Sequence, residues 1–190
     1  MSTSTQVSLT KKEELELERE MSMAYWGANE VLPGIFLGGA RDARNLEAMK
    51  QRGVTHILNV ADDVQNFHPD HFTYLRLEVR DYGMDQGISR VFDKGLEFVR
   101  EAVRDNGKVL VHCMAGINRS ATMSIYCVMN FNGWSLKRAY AHVYSCRNMI
   151  DPMLDNQKEL IRFAIKVNGE QAEIPDGWSL NRSENYKKWF

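Results

Sequence analysis

Cys113 and Arg119 bracket a run of five residues, Met114-Ala115-Gly116-Ile117-Asn118, and Ser120 follows at once. Ahead of the cysteine, Lys108-Val109-Leu110-Val111-His112 reads as a short buried strand. Behind the arginine, Ser120 to Met129 reads as an apolar helix that stops near Gly133. A strand, a tight loop and a helix N-terminus leave backbone N–H groups converging on one point. Such a point holds a tetrahedral anion. Arg119 adds a planar cation able to grip two oxygens at once. The field that binds an oxyanion also favours a thiolate over a thiol, which makes Cys113, at the floor of the loop, a nucleophile. This is the equipment for cleaving a phosphate ester by way of a cysteinyl-phosphate.

That chemistry needs two more groups. Ser120 can donate a hydrogen bond to the sulfur when the thiophosphate breaks down; a helix N-terminal serine with no chemical part is the other reading. The leaving oxygen needs a proton from a carboxylic acid on another loop. Asp81 and Asp85 both stand in the loop Arg80 to Gly87, and Asp85 is the better placed to start the helix that follows at Ile88. His112 precedes the nucleophile on a strand, where its side chain faces the other way. It is expected to order the loop and not to act as a base.

A chain of 190 residues suits one domain with tails, and 44% hydrophobic content can fill a core. A net charge of −1, from 24 basic and 25 acidic residues, gives no field that draws the chain to nucleic acid or a membrane surface. The three cysteines, 113, 127 and 146, are odd in number and lack metal-ligand spacing. They argue for a reducing compartment, so the expectation is a cytoplasmic protein, with the nucleus also open to it. No apolar run reaches the ~20 residues of a membrane span. No metal or cofactor is expected.

Residues 1–29 read as a charged, partly helical extension, with helix-forming composition from Lys11 to Met23. A turn and strand follow over Glu30 to Ala40. An amphipathic helix carries Ala43, Leu46 and Met49 and stops at Gly53. Val54 to Val60 is a buried, β-branched strand. Thr73 to Val79 alternates as a half-exposed strand. A helix with Ile88, Val91, Phe92, Leu96, Val99 and Val103 at helical spacing delivers the chain to the central strand. After Gly133, Ser135 caps one more helix, and Asp151-Pro152 reads as the N-cap and first turn of the last. Alternating strands and helices predict an α/β fold: a central, mainly parallel, twisted sheet flanked by helices. Residues 168–190 read as an extended tail.

The stretch His112 to Thr122, with its Ala-Gly-Ile-x-Arg-Ser-Ala-Thr wording, resembles the active-site loop of the cysteine-dependent protein tyrosine phosphatase superfamily, in its dual-specificity branch of the small, atypical kind. The Pro-Gly-x-x-Leu-Gly segment at 33–38 and Gly-Val-Thr-His-Ile-Leu-Asn-Val at 53–60 resemble the same branch. The resemblance covers roughly residues 30–167, taken as the catalytic domain. It implies a metal-independent hydrolase of phosphotyrosine and phosphoserine/threonine, with Cys113 as nucleophile, Arg119 and the amides of 114–118 holding the phosphate, and Ser120 assisting. It implies Asp81 as the acid, because the family's acid opens the loop directly after the strand; Asp85 is the runner-up.

One departure from the family pattern matters. Where the family places a Ser-Pro-Asn or Asn-Pro-Asn tripeptide whose last asparagine braces the phosphate loop, this chain has Asp151-Pro152-Met153. The Met153 side chain cannot make that hydrogen bond, and Asn156 stands where an aromatic is usual. Either another polar group takes over or the loop is less rigid. A module that binds phosphoprotein with little turnover is therefore the alternative. A lipid phosphatase would carry Lys or His between Cys113 and Arg119, where Met114, Ala115, Ile117 and Asn118 are uncharged. An RNA 5′-triphosphatase shares the Asn-Arg pair at 118–119, but no basic track accompanies it. The expected partner is a phosphoprotein substrate; the sequence leaves the oligomeric state open.

Overall fold

The computed structural model describes residues 10–13, 16–17, 25–81 and 87–181. Asp85 and most of the N-terminal extension lie outside the described residues. Five strands form one sheet: β1 (Asn29–Leu32), β2 (Ile35–Gly39), β3 (His56–Ala61), β4 (Thr73–Val79) and β5 (Val109–Cys113), in the spatial order β1-β2-β5-β3-β4. The short β1 runs antiparallel to β2. The remaining neighbours, β2 with β5, β5 with β3 and β3 with β4, are all parallel. The expected mainly parallel sheet is present, with an antiparallel strand added at one edge where the sequence suggested only a turn. Pro33-Gly34 makes that hairpin, because Gly34 takes φ 77, a conformation that favours glycine.

Every residue of β5 is buried. In β2, β3 and β5 alternate side chains enter opposite apolar layers. Ile35, Leu37, Leu58, Val60, Val109 and Val111 join one cluster; Phe36, Ile57 and Leu110 join the other. Both faces are therefore covered, as parallel sheets require. Helices α3 (Phe92–Arg104), α4 (Arg119–Asn132), α5 (Leu136–Cys146) and α6 (Leu154–Asn168) supply the larger layer. The other face receives α1 (Ala40–Arg44) and α2 (Leu46–Gln51). The single helix expected over this stretch is two short ones, because Asn45 interrupts it and its side chain caps Ala48 N at 3.0 Å. The helix expected from Ile88 begins as a 3₁₀ turn, Ile88–Val91, before α3.

α4 ends as the sequence indicates, with Gly133 at φ 63 closing its C-terminus. Ser135 caps α5 by accepting from Arg138 N at 3.3 Å. The start of α6 differs from expectation. Its N-cap is Met153, with no side-chain cap, and Asp151-Pro152 lies outside the helix. The Asp151 N–H instead donates to Ile117 O at 3.0 Å, so this segment runs along the loop that follows β5. The chain beyond α6 turns back along α5. Lys137 N donates to Glu173 O at 3.0 Å, and Trp178 packs on Tyr140 with ring centroids 4.8 Å apart. Among the described residues no helix is long and apolar enough to cross a membrane.

Candidate active site

The C-terminal ends of β3, β4 and β5 meet at one edge of the sheet, where α/β proteins collect their functional loops. β5 delivers Cys113, and the register sets Gly39 of β2 opposite it and Gly38 opposite His112. The loop from Met114 to Asn118 folds back directly onto the end of β2. A Cβ on Gly39 would lie 2.8 Å from the Met114 carbonyl, and one on Gly116 would lie 2.7 Å from the Gly38 backbone. Gly116 also holds φ 71. Neither position tolerates a side chain, and Ala40 N fastens the contact by donating to Met114 O at 2.9 Å.

Cys113 is 2% exposed and sits among Ala40, Ala61 and Val64. The Gly116 N–H donates toward its Sγ at 3.4 Å. Ser120 Oγ lies 3.2 Å from the same sulfur and 3.4 Å from Gly38 O, able to donate to either. Ser120 and the Gly116 N–H thus both stand beside the Cys113 sulfur. Burial pushes the thiol of Cys127, inside α4, up to about 12, so it stays protonated.

Arg119 is the first residue of α4 and is fully buried. Its Nη1 donates to Asp63 Oδ1 at 2.7 Å and to Val79 O at 3.0 Å, with Asp62 Oδ1 at 3.4 Å. Nε lies 3.2 Å from Asp81 Oδ1 as an ion pair. Neither Nε nor Nη2 makes a hydrogen bond among the described residues. One nitrogen is anchored, therefore, while the Nε–Nη2 edge keeps two parallel N–H groups for two oxygens of a tetrahedral anion. The anchor is reciprocal: the hydrogen bond from Arg119 holds the Asp63 carboxyl below its usual range, outweighing partial burial. The β3–β4 register shifts between Asn59 and Ala61, and Glu78 adopts φ 52. This irregular strand end turns the Val79 carbonyl and Asp81 toward Arg119.

Asp81, predicted as the acid, stands at the mouth of the loop with its side chain 34% exposed. Its Oδ1 accepts from Asn118 Nδ2 at 2.9 Å. On its other side the Asn118 amide oxygen accepts from the Met153 N–H and from Asn156 Nδ2, each at 2.8 Å. Polar groups other than the Met153 side chain therefore reach the loop here. The Met153 side chain makes no such bond, but its backbone and Asn156 together hold the last residue of the phosphate loop.

Two supports were not singled out in the sequence. Arg147, at the C-cap of α5, reaches under the loop: Nε donates to Gly116 O at 2.8 Å and Nη2 to Ala115 O at 3.4 Å. Its Nη1 bonds Gly27 O at 2.6 Å and Asn29 Oδ1 at 2.9 Å. Asp42, buried in α1, receives Gly27 N at 2.7 Å and Gly39 N at 2.8 Å. Asp62 and Asp63 were also passed over, although an acidic pair directly after a buried parallel strand is a usable signal. His112 is fully buried with Nδ1 3.3 Å from the Cys113 carbonyl. A carbonyl only accepts, so Nδ1 carries the proton. Burial pushes the imidazole down to about 4, against opposing contributions from that carbonyl and from Asp42.

The profile of the family described as "Dual specificity phosphatase, catalytic domain" matches residues 35–166. The chain belongs to this family, which makes it a member of the dual-specificity protein phosphatases. It is similar to human dual specificity protein phosphatase 9, at 36% identity over 166 residues, covering 85% of this chain and 43% of that protein. It is similar to zebrafish (Danio rerio) dual specificity protein phosphatase 22-A, at 31% identity, covering 74% of this chain and 66% of that one. This chain therefore spans less than two thirds of either relative. Among solved structures it resembles human DUSP28, with a TM-score of 0.70 and 27% identity over 74% of this chain and 94% of that one. It also resembles the human tyrosine phosphatase-like serine/threonine/tyrosine-interacting protein, with a TM-score of 0.68 and 32% identity over 74% of this chain and 97% of that one.

Proposed function

We propose that this chain hydrolyses phosphotyrosine and phosphoserine/threonine in proteins, without a metal, through a cysteinyl-phosphate. The observation that carries this reading is the anchored Arg119, whose Nε–Nη2 edge stands beside Asp81 on the helix that follows the Cys113 loop. In the first step the Cys113 sulfur attacks phosphorus in line with the ester bond. The P–O bond breaks, and Asp81 gives its proton to the leaving oxygen. Arg119 and the loop N–H groups carry the charge on the three equatorial oxygens. In the second step water attacks the cysteinyl-phosphate and its proton passes to the Asp81 carboxylate. The S–P bond breaks, inorganic phosphate leaves, and Ser120 donates its hydrogen bond to the departing thiolate. The binding-only alternative rests on Met153, and the Asn118–Asn156 contact weighs against it.

The test is phosphate release from singly and doubly phosphorylated peptides, run with chelator. Turnover should persist in chelator, and Cys113→Ser should abolish it while phosphate or vanadate still binds. Asp81→Asn should slow poor leaving groups by roughly 10²–10⁴-fold and flatten the alkaline limb of the pH–rate profile. Wild-type rates in Cys113→Ser, or loss of activity with chelator, would overturn the mechanism. If Asp85→Asn gives the acid's signature and Asp81→Asn does not, the acid is Asp85.

A further inference from the structure

A carboxyl group on a loop, 34% exposed at its side chain, is not held in place by packing. Its position must come from its bonds. Asp81 has two such neighbours in the phosphate site: the Asn118 amide at 2.9 Å and Arg119 Nε at 3.2 Å, both on Oδ1. The amide's orientation is not a free choice. Its oxygen accepts two N–H groups, from Met153 and from Asn156, and a nitrogen in that place would face two donors. Asn118 is 8% exposed and Asn156 9%, so each bond is expensive to leave unmade. One amide therefore ties together three elements: the phosphate loop, the acid's loop and the start of α6.

We propose that Asn118 is a positioning residue for the proton donor, locked from behind by Asn156 and fixing which Asp81 oxygen carries the proton. An amide N–H bonds the carbonyl-type oxygen of a protonated carboxyl group, here Oδ1. The acidic hydrogen then sits on Oδ2. Because Asn118 immediately precedes Arg119, the same helix start that aims the guanidinium also aims the acid. The inference rests on the reading of Asp81 as the general acid.

The experiment is steady-state kinetics on aryl phosphates of graded leaving-group pKa. It compares wild type, Asp81→Asn, Asn118→Ala, Asn118→Asp and the double variant Asp81→Asn/Asn118→Ala. Asn118→Ala should lower kcat roughly five- to tenfold on poor leaving groups, the worth of one net hydrogen bond. That loss should grow with leaving-group pKa and shrink when Asp81 is already Asn, whereas any loosening of the loop, from the acceptor that Met153 and Asn156 give up, falls on vanadate affinity and on every substrate alike. Asn118→Asp keeps the acceptor that Met153 and Asn156 need, yet sets a like charge against Asp81. Its alkaline limb should move to higher pH. A merely structural role would slow all substrates alike, add to the Asp81→Asn loss and leave that limb where it was; that result overturns the inference alone. A wild type without turnover, or an Asp81→Asn variant without effect, overturns the functional reading together with it.

Discussion

The mechanism proposed for Arg119 depends on one of its nitrogens being bonded in advance. A guanidinium bonded only by substrate would lose side-chain entropy on every turnover, whereas Asp63 at 2.7 Å and the Val79 carbonyl at 3.0 Å hold the fork in advance. Asp63→Asn keeps the shape and weakens the anchor. Hydrogen bonds to charged groups are worth about 1.5–3 kcal/mol, so kcat/KM should fall roughly ten- to hundredfold. The loss should appear on good and poor leaving groups alike, unlike that of Asp81→Asn. Arg119→Lys should be nearly inactive, because an ammonium cannot fork onto two oxygens. At this scale the sequence was legible where chemistry is local. Cys113, Arg119 and Ser120 lie within one short run, and Ser120 Oγ is indeed 3.2 Å from the Cys113 sulfur. Asp63 was not legible in the same way, since its tie to Arg119 exists only once β3 lies beside β5.

The loop is shaped from outside as much as from within. Gly39 and Gly116 let β2 and the loop touch backbone to backbone, and Arg147 takes up the carbonyls of Ala115 and Gly116 that this contact turns inward. Arg147→Ala should leave the buried Gly116 carbonyl without its donor, at about 1–3 kcal/mol. The expected result is a lower unfolding midpoint in urea together with weaker vanadate binding. Stability lost with vanadate affinity unchanged would mean Arg147 supports the fold and not the loop. Element identities came through the sequence because periodicity records burial: β5 is buried throughout and α4 stops at a glycine. The start of α6 did not. Asp151 and Pro152 have the right types for a helix start, but the Asp151 N–H is drawn to Ile117 O, and the helix begins only after Met153. A tertiary hydrogen bond outweighed a local preference.

Across the whole molecule, the central sheet places a neutral imidazole where water does not reach. His112 titrates near 6.5 when unfolded and is pushed down to about 4 when folded, chiefly by burial. The unfolded chain therefore binds the proton first. The stability this represents is complete above pH 6.5 and is lost as pH falls toward about 4, on the order of 3 kcal/mol in all. Urea unfolding at a series of pH values should show that slope, and His112→Gln should flatten it. The layered α/β plan was readable from alternating strands and helices. The return of residues 172–178 along α5 was not, because Ile174 and Trp178 are scattered apolar residues in a polar stretch and meet the core only in three dimensions. One feature of the plan reaches into time. Only the far end of α4, Asn130 to Asn132, offers a turn from which to fray; its first eleven residues, Arg119 to Met129, form one wholly buried stretch. The amide protons of that stretch should exchange with deuterium only when the entire fold opens, while those of the short, partly exposed α2 leave by local opening. The lifetime of the site is then the lifetime of the native state itself.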